Sequence, residues 1–221
     1  GLTAKNIGFI DDRSIICYAP LMVTKKKSEL TRSHILAIGR ELVLRKGFGG
    51  VGLKELLEQS AVPKGSFYYY FASKEAFGCA LLKQYCSDYA ERLDALFGWN
   101  GNGRQRLMHY WDAWLSDGGT ASLAERCLVV KLAAEISDLS DNMRVILLGG
   151  VEDLIRRLTK TITEGREDGS ISPSCIPEKT ARSLYSLWLG AAILAKLGKD
   201  KTPLDQAMLA TEQALSAPGS L

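Results

Sequence analysis

The sequence predicts an all-α fold, and three observations favour it. Apolar residues recur at helical spacing along most of the chain after Ser28. The apolar–polar alternation that is typical of half-buried strands is nowhere sustained. A break rich in glycine and asparagine at 98–103 and one rich in serine and proline at 169–177 divide the helical pattern into segments. We therefore expect helices packed on helices, without a sheet.

Each predicted helix has a recognisable boundary. The first carries Ile35 and Leu42 on one face and ends at Gly47, because glycine commonly follows a helix C-terminus. A long helix begins after Ser73, whose side chain suits the capping position. The remaining long helices are expected at 104–117, 122–136, 141–166, 178–197 and from Thr202 onward.

The charge of the chain is uneven. The 221 residues carry a formal net charge of only +3, yet residues 23–74 hold ten Lys/Arg against four acidic residues. A basic N-terminal block on a nearly neutral protein is typical of nucleic-acid binding, although a solvated basic surface has the same composition. No apolar run is long enough to span a bilayer, and the first residues lack the uninterrupted apolar centre of a signal peptide.

The five cysteines include no CxxC pair, which argues against a disulfide framework and against a zinc finger. We therefore expect a protein of the reducing cytoplasm. His34 and His109 are isolated, with no carboxylate or cysteine at the spacing of metal ligands. The sequence thus predicts no metal site and no cofactor.

Two short helices, predicted at 53–59 and 64–70 and separated by Pro63, have the spacing of a helix-turn-helix. The second helix of such a motif enters the major groove with its first residues toward the bases, and lysine and tyrosine suit phosphate contacts. On the pattern alone, a plain helical hairpin whose tyrosines pack in a core is the alternative. The predicted DNA contacts are Lys64, Gly65, Ser66, Tyr68, Tyr69 and Lys74.

The segment VPKGSFYYYFASKE at 62–75 resembles the DNA-binding domain of the TetR family. The resemblance implies a homodimeric repressor that binds a palindromic operator on double-stranded DNA. At Gly52 the chain departs from the family, many of whose members carry threonine there, so we assign Gly52 no DNA contact. The expected organisation is a flexible extension with a basic arm at 1–27, the helix-turn-helix domain at 28–74 and a helical regulatory and dimerisation domain at 75–221.

The helix predicted at 178–197 supplies a candidate for the implied dimer interface. Its apolar face is broad and includes small residues that allow two helices to approach closely. The alternative is that this face packs only within its own subunit. The face consists of Leu184, Leu187, Trp188, Ala191, Leu194 and Ala195.

Cys127 has the surroundings that most favour a reactive thiol. It follows a cation and precedes the helical stretch 128–136, and both a cation and a helix N-terminus favour the thiolate. Cys79 and Cys86 are expected to be buried and inert, since free cysteine commonly behaves as a small apolar core residue. Cys175 is expected to be exposed in a loop and without a role.

The second half of the chain resembles TetR-family members that sense electrophiles and reactive chlorine species. The matching stretches are CLVVKLAAE at 127–135, DLSDNMR at 138–144 and LYSLWLGA at 184–191. In that register Cys127 falls on the sensor cysteine and Lys196 on a lysine near it. The resemblance implies that Lys196 lowers the pKa of the thiol and that oxidation or alkylation of Cys127 releases the operator.

Two other functions are compatible with these residues. One is a TetR-type repressor induced by noncovalent binding of an apolar small molecule. The other is an enzyme with Cys127 as nucleophile, which we do not expect, because no histidine lies near it to act as a base. The aromatic residues of this half are expected to form core rather than a ligand pocket; they are Tyr110, Trp111, Trp114, Tyr185 and Trp188.

Overall fold

The computed structural model describes residues 18–116 and 121–216, with side chains from Lys27 onward. In these ranges the chain forms helices and no strand, so the all-α prediction is confirmed. The helices are α1 (Tyr18–Lys46), α2 (Leu53–Ser60), α3 (Lys64–Tyr70), α4 (Lys74–Phe97), α5 (Gly103–Leu115), α6 (Leu123–Arg126), α7 (Leu128–Leu139), α8 (Asp141–Glu167), α9 (Pro177–Gly198) and α10 (Thr202–Leu215).

Helix α1 begins at Tyr18, earlier than the pattern after Ser28 predicts. The expected flexible extension at 1–27 therefore overlaps the helix. Pro20 lies in the first turn of α1, where its missing N–H interrupts no helical hydrogen bond. The lysines that follow are good helix formers, so nothing between Pro20 and Ser28 ends the helix.

The boundary signals at the other helices mostly act as predicted. Gly47 follows α1 with a φ of 78°, and the Ser73 hydroxyl accepts a hydrogen bond from the Ala76 amide at 3.0 Å. The continuous helix expected at 122–136 is wrong, because the chain is extended at Cys127. There the amide of Leu128 donates to the Tyr85 hydroxyl of α4 at 3.2 Å, a tertiary contact that no local pattern encodes.

Two clusters of buried residues meet at this interruption. One contains the aromatic residues of the N-terminal helices and continues into α7 through Leu128, Leu132 and Ile136. The other is built around stacked Trp111 and Trp188 and includes Cys127. Cys127 and its neighbour Leu128 thus belong to different cores, and α7 joins the two halves of the molecule.

Candidate functional site

The predicted recognition helix α3 is anchored by one aromatic residue and exposes two others. Phe67 is fully buried, with its ring centroid 5.3 Å from that of Phe71 and 5.7 Å from that of Phe77. Tyr68 and Tyr69 are 48% and 77% exposed. The alternative in which these two tyrosines pack in a core is therefore not what the structure has, and their hydroxyls face solvent.

The other predicted DNA contacts lie on the same short stretch. Lys64, Gly65 and Lys74 are exposed and Ser66 is half-buried. A Cβ built on Gly65 would meet no atom within 4 Å, so this position leaves the surface open to close approach. The Lys74 ammonium lies 5.0 Å from the centroid of the Phe48 ring, which supports that side chain at the start of α4.

Gly52 is the N-cap of α2 and makes no side-chain capping hydrogen bond. A Cβ at Gly52 would have no neighbour within 4 Å. The N-terminus of α2 therefore lacks the capping hydroxyl that a threonine would supply, although the space beside Gly52 would accommodate one.

Cys127 is 7% exposed and forms the N-cap of α7. Its sulfur makes no capping hydrogen bond of regular geometry, although the amides of Val130 and Val129 and the hydroxyl of Tyr85 face it. Burial raises the pKa of the Cys127 thiol, and these three groups and the ammonium of Lys196 only partly oppose that effect. The expectation of a lowered pKa is thus wrong for this state, because desolvation outweighs the helix N-terminus.

Lys196 acts on Cys127 at a distance. Its side chain is exposed near the end of α9 and borders a surface depression beside Ala124 and Glu125. Within the described part of the chain, no hydrogen bond joins Lys196 to Cys127, and its ammonium is the weakest of the influences that lower the thiol pKa. The two predicted sensor residues are therefore brought within electrostatic range but not into contact.

Cys127 lies on the wall of a cavity of about 350 Å³ that sequence reasoning missed. The wall is formed by α4, α8 and α9 together with the beginning of α7, and it is mostly apolar. Its polar members besides the charged Lys83 and Asp153 are two thiols and three phenols: Cys86, Cys127, Tyr85, Tyr89 and Tyr185. The prediction that the aromatic residues form core is confirmed for the three tryptophans and Tyr110, whereas Tyr185 also lines this cavity.

The two cavity thiols differ in their surroundings. Burial, together with the nearby carboxylate of Asp153, raises the pKa of Cys86 to about 11. Cys127 instead faces amide N–H groups, a phenol and a distant ammonium, all of which favour a negative sulfur. Of the two thiols, Cys127 is thus the one whose environment stabilises a thiolate once it forms.

Cys175 does not lie exposed as predicted. It is 7% exposed, and its sulfur lies 3.0 Å from the carbonyl oxygen of Ala214. The end of α10 covers the loop, because the amide of Ser172 donates to the Leu215 carbonyl at 2.9 Å. Cys79 and Cys86 are each only half-buried rather than fully enclosed.

Helix α7 also holds the N-terminal helices in place. The Glu135 carboxylate accepts hydrogen bonds from the backbone amides of Phe48, at 3.1 Å, and Gly49. These amides belong to the turn between α1 and α2, so one carboxylate ties the helix-turn-helix domain to the regulatory domain. The pairing spans more than 80 positions of sequence, which is why no local pattern indicates it.

Two further contacts, one from α6 and one from α7, reach α1. The Lys131 ammonium donates to the carbonyl oxygen of Arg45 at 3.3 Å, and Arg126 forms an ion pair with Glu41 at 3.3 Å. Both partners lie on the second half of α1. Residues on both sides of Cys127 in sequence therefore bind α1, the helix that leads into the DNA-binding motif.

The predicted dimer face of α9 is divided between two environments. Leu184, Trp188 and Ala191 are buried in their own subunit, as the alternative held. Leu187 and Leu194 are exposed and form an apolar stripe with Ile193 and Leu197, two residues that the prediction did not include. The exposed apolar residues of this stripe are Leu187, Ile193, Leu194 and Leu197, and Val145 and Leu148 of α8 are exposed as well.

No helix among the described residues is both long and apolar enough to cross a membrane. The described residues also contain no group of three or more His, Cys, Asp or Glu side chains placed to hold a metal ion.

Comparison with protein families matches both halves of the chain. Residues 35–77 match the family described as "Bacterial regulatory proteins, tetR family", and residues 103–211 match "Tetracyclin repressor-like, C-terminal domain". The two matches cover the helix-turn-helix and most of the helical region that contains Cys127.

Individual proteins are similar over most of the chain. The HTH-type transcriptional repressor NemR of Escherichia coli K12 is 40% identical over 189 residues, which cover 85% of this chain and 95% of NemR. The HTH-type transcriptional repressor DhaR of Mycobacterium sp. GP1 is 33% identical, covering 83% of this chain and 91% of DhaR. The crystal structure of reduced E. coli NemR superposes with a TM-score of 0.79 at 43% identity, covering 86% and 98% of the two chains. These relatives are transcriptional regulators, not enzymes.

Proposed function

Because the chain belongs to the TetR family of bacterial transcriptional regulators, we propose that it is a homodimeric repressor that releases a palindromic operator when Cys127 is oxidised or alkylated. Family membership accounts for the helix-turn-helix and for the role as a transcriptional repressor. The observation that supports this proposal is the position of Cys127 at the N-terminus of α7, because α7 is hydrogen-bonded to the DNA-binding domain.

DNA binding is assigned to the exposed surface of α3 and the start of α4. Lys64, Tyr68, Tyr69 and Lys74 supply two cations and two phenols for phosphate oxygens, and Gly65 with Ser66 lets the backbone approach the groove. A palindromic site requires two copies of this surface. The exposed apolar stripe of α9 supports a second copy as its occupant, since family members pair through their last long helices.

The sensing step is assigned to Cys127 and not to the other described cysteines. A buried, protonated thiol reacts slowly with polar reagents, which fits a sensor that is silent in a reducing cytoplasm. When the proton is lost, the amides of Val129 and Val130 and the hydroxyl of Tyr85 stabilise the thiolate, the nucleophilic form. In this proposal Lys196 assists through its charge, at the distance that its exposed position imposes.

The signal reaches the DNA through α7. A group added to the Cys127 sulfur occupies the cavity beside the N-cap of α7 and presses on the residues of its wall, which include Val129 of α7. Movement of α7 displaces Lys131 and Glu135, whose partners are the end of α1 and the turn before α2. We expect the helix-turn-helix domains of the dimer to change their separation, so that both no longer fit one operator.

The test is a DNA-binding titration with three forms of the full chain: wild type, Cys127→Ser and Cys175→Ser. The DNA is a site selected by wild type from a random double-stranded library, and the salt concentration is fixed because phosphate contacts make affinity salt-dependent. Cys175→Ser is the matched control, since Cys175 is buried to the same 7% exposure as Cys127. N-ethylmaleimide should weaken DNA binding by wild type and Cys175→Ser by at least about tenfold, the equivalent of about 1.4 kcal/mol, and leave Cys127→Ser unchanged.

Two results would count against the proposal. Equal loss of DNA binding by Cys127→Ser would assign the response to another residue. Selection of a site without two-fold symmetry, or a selected complex that holds one copy of the chain, would remove the palindrome and the dimer.

A further inference from the structure

Tyr185 is a buried phenol on the cavity wall whose hydroxyl has no protein partner. It is 4% exposed, and its hydroxyl makes no hydrogen bond to any residue in the described ranges. The ring is held edge-on against Trp114, with centroids 6.4 Å apart, so the side chain is fixed by packing. The hydroxyl faces the cavity, so it can donate a hydrogen bond to a molecule that enters it.

The neighbouring phenols are already engaged. The Tyr85 hydroxyl accepts a hydrogen bond from the amide of Leu128 at 3.2 Å, and its own O–H faces the sulfur of Cys127. The hydroxyls of Tyr89 and Tyr110 lie 3.0 Å apart and share a hydrogen bond. Among the described residues, Tyr185 is thus the phenol of the cavity wall whose hydroxyl has no hydrogen-bond partner within the protein.

Tyr185 and Cys127 line the same cavity, together with Tyr89 and Cys86. Burial raises the pKa of Tyr185, and the nearby Cys127, Tyr89 and Cys86 raise it further. A raised pKa keeps the phenol protonated, so it acts as a donor at neutral pH. The thiol of Cys127 and a free O–H donor therefore face one space.

The dimensions and polarity of that space limit what can enter. A cavity of about 350 Å³ is at the small end of ligand sites, which span about 300–1,000 Å³. A cavity of roughly 150 Å³ already admits benzene. The mostly apolar wall disfavours charged molecules, because they would lose their hydration without compensation.

We propose that Tyr185 hydrogen-bonds the carbonyl oxygen of compact, uncharged α,β-unsaturated carbonyl electrophiles in this cavity and thereby speeds their addition to Cys127. The inference rests on the proposed role of Cys127 and adds to it a binding cavity and a residue, Tyr185, that orients and activates the electrophile. Imides such as N-ethylmaleimide, quinones and enones belong to this class.

The reaction is a conjugate addition that needs no oxidant. The Cys127 sulfur forms a bond to the β-carbon, and the electron pair of the carbon–carbon double bond shifts toward the carbonyl oxygen. The hydrogen bond from Tyr185 stabilises the negative charge that develops on this oxygen, as donors in an oxyanion hole do. The proton released by the thiol ends on the α-carbon, so no group leaves and no electrons are transferred to another molecule.

The test compares two uncharged reagents on the reduced full chain, N-ethylmaleimide and iodomethane. Both alkylate thiols, but iodomethane has no carbonyl. Rates of Cys127 modification are measured by mass spectrometry of quenched peptides, for wild type and Tyr185→Phe. We expect Tyr185→Phe to slow the N-ethylmaleimide reaction about tenfold, the scale of one hydrogen bond, and to leave the iodomethane rate within about twofold.

Binding without reaction provides a second measurement. N-ethylsuccinimide carries the same carbonyls but lacks the double bond, so it occupies the site without alkylating the thiol. It should protect Cys127 of wild type from iodomethane and protect Tyr185→Phe less. Thermal unfolding of both forms checks that the variant keeps the fold.

The outcomes separate this inference from the proposed function. Equal slowing of both reagents would assign Tyr185 to packing or to the thiol rather than to the carbonyl and would overturn the inference. Unchanged rates with both reagents would overturn it too. If wild-type Cys127 is modified by neither reagent, the proposed sensor fails first.

Discussion

The carboxylate of Glu135 lies against the backbone of Gly47, so that a Cβ at Gly47 would stand 2.8 Å from Oε2. Gly47 has a φ of 78°, in the left-handed region that side chains disfavour. Gly47→Ala should therefore lower the free energy of unfolding by more than the ~1–2 kcal/mol that this backbone conformation alone costs an alanine. Urea unfolding measures the loss.

Gly169 offers a matched control for this substitution. It has the same φ of 78°, but a Cβ there would meet no atom within 4 Å. Gly169→Ala should show the backbone cost alone. Equal losses for the two variants would mean that the Glu135 carboxylate moves aside without consequence.

Glu135→Gln tests the link between the domains. The amide side chain has one acceptor oxygen for the two backbone N–H groups of Phe48 and Gly49, and its NH₂ is a donor. We expect a loss of about 1 kcal/mol, the net contribution of one partly exposed hydrogen bond, and faster hydrogen exchange at those two amides. Glu91→Gln, at an exposed position of α4, is the control. Unchanged exchange at Phe48 and Gly49 would contradict the role given to Glu135.

The raised pKa of Cys127 predicts the pH dependence of its reactivity. The thiolate is the reacting form, so the rate with N-ethylmaleimide should rise about tenfold per pH unit and continue to rise beyond pH ~8.5, where an exposed cysteine levels off. A rate that levels off below that pH would show that the thiol is not desolvated. Stopped alkylation followed by peptide mass spectrometry gives the profile.

The same shift affects stability in a defined direction. Above the ordinary thiol pKa the unfolded chain loses the Cys127 proton while the folded chain retains it. The contribution of Cys127 to the free energy of unfolding is therefore full below pH ~8.5 and is lost as the pH rises above that value. The difference between wild type and Cys127→Ser, measured at pH 7.5 and about 9.5, isolates it from other titrating groups.

Gly52→Thr should stabilise the helix-turn-helix. The φ of −78° and ψ of 145° at Gly52 suit any residue at an N-cap, and the space beside it is open. A threonine hydroxyl can cap α2, which is worth a few tenths to about 1 kcal/mol, and should also strengthen DNA binding. Gly52→Ala adds the Cβ without the hydroxyl and should do neither. If Gly52→Ala stabilises the protein equally, the effect comes from the lower conformational freedom of the unfolded chain and not from the hydroxyl.

Leu194→Lys tests the proposed dimer. Leu194 is 58% exposed on α9, so a lysine costs little in the isolated subunit but places a charge in the proposed interface. Sedimentation should show monomers at concentrations where wild type is dimeric. Leu209→Lys, at a 59% exposed position on α10, should leave the dimer intact. Dimers of Leu194→Lys as stable as wild type would move the interface elsewhere.

Local signals predicted most of the helices. Gly47, Ser73 and Pro177 each act through backbone geometry or capping within a few residues, and the structure has helix boundaries at all three. The helix-turn-helix was equally accessible, since α3 spans the predicted residues Lys64–Tyr70. In each case the residue that sets a helix boundary and the boundary itself lie in the same short stretch of chain.

The features missed depend on residues far apart in sequence. The break at Cys127 depends on Tyr85, and the domain link depends on Glu135 meeting Phe48. The thiol pKa was predicted in the wrong direction because a helix N-terminus is visible in sequence, whereas burial by α4, α8 and α9 is not. Tyr185 could be recognised as aromatic but not as a cavity residue for the same reason.

The single extended residue between α6 and α7 is a joint about which α7 can tilt, so a small movement at Cys127 becomes a larger one at the far end of the helix. Glu135 is eight residues beyond Cys127 in an α-helix, which places it about 12 Å along the axis from the joint. A tilt of roughly 10° at the joint therefore moves the Glu135 end by about 2 Å, which is enough to break the 3.1 Å hydrogen bond to Phe48. Because α7 is a rigid helix, a few atoms added at the Cys127 sulfur thus produce a larger displacement at Glu135. That displacement is on the scale of the distances over which a protein contacts a DNA groove.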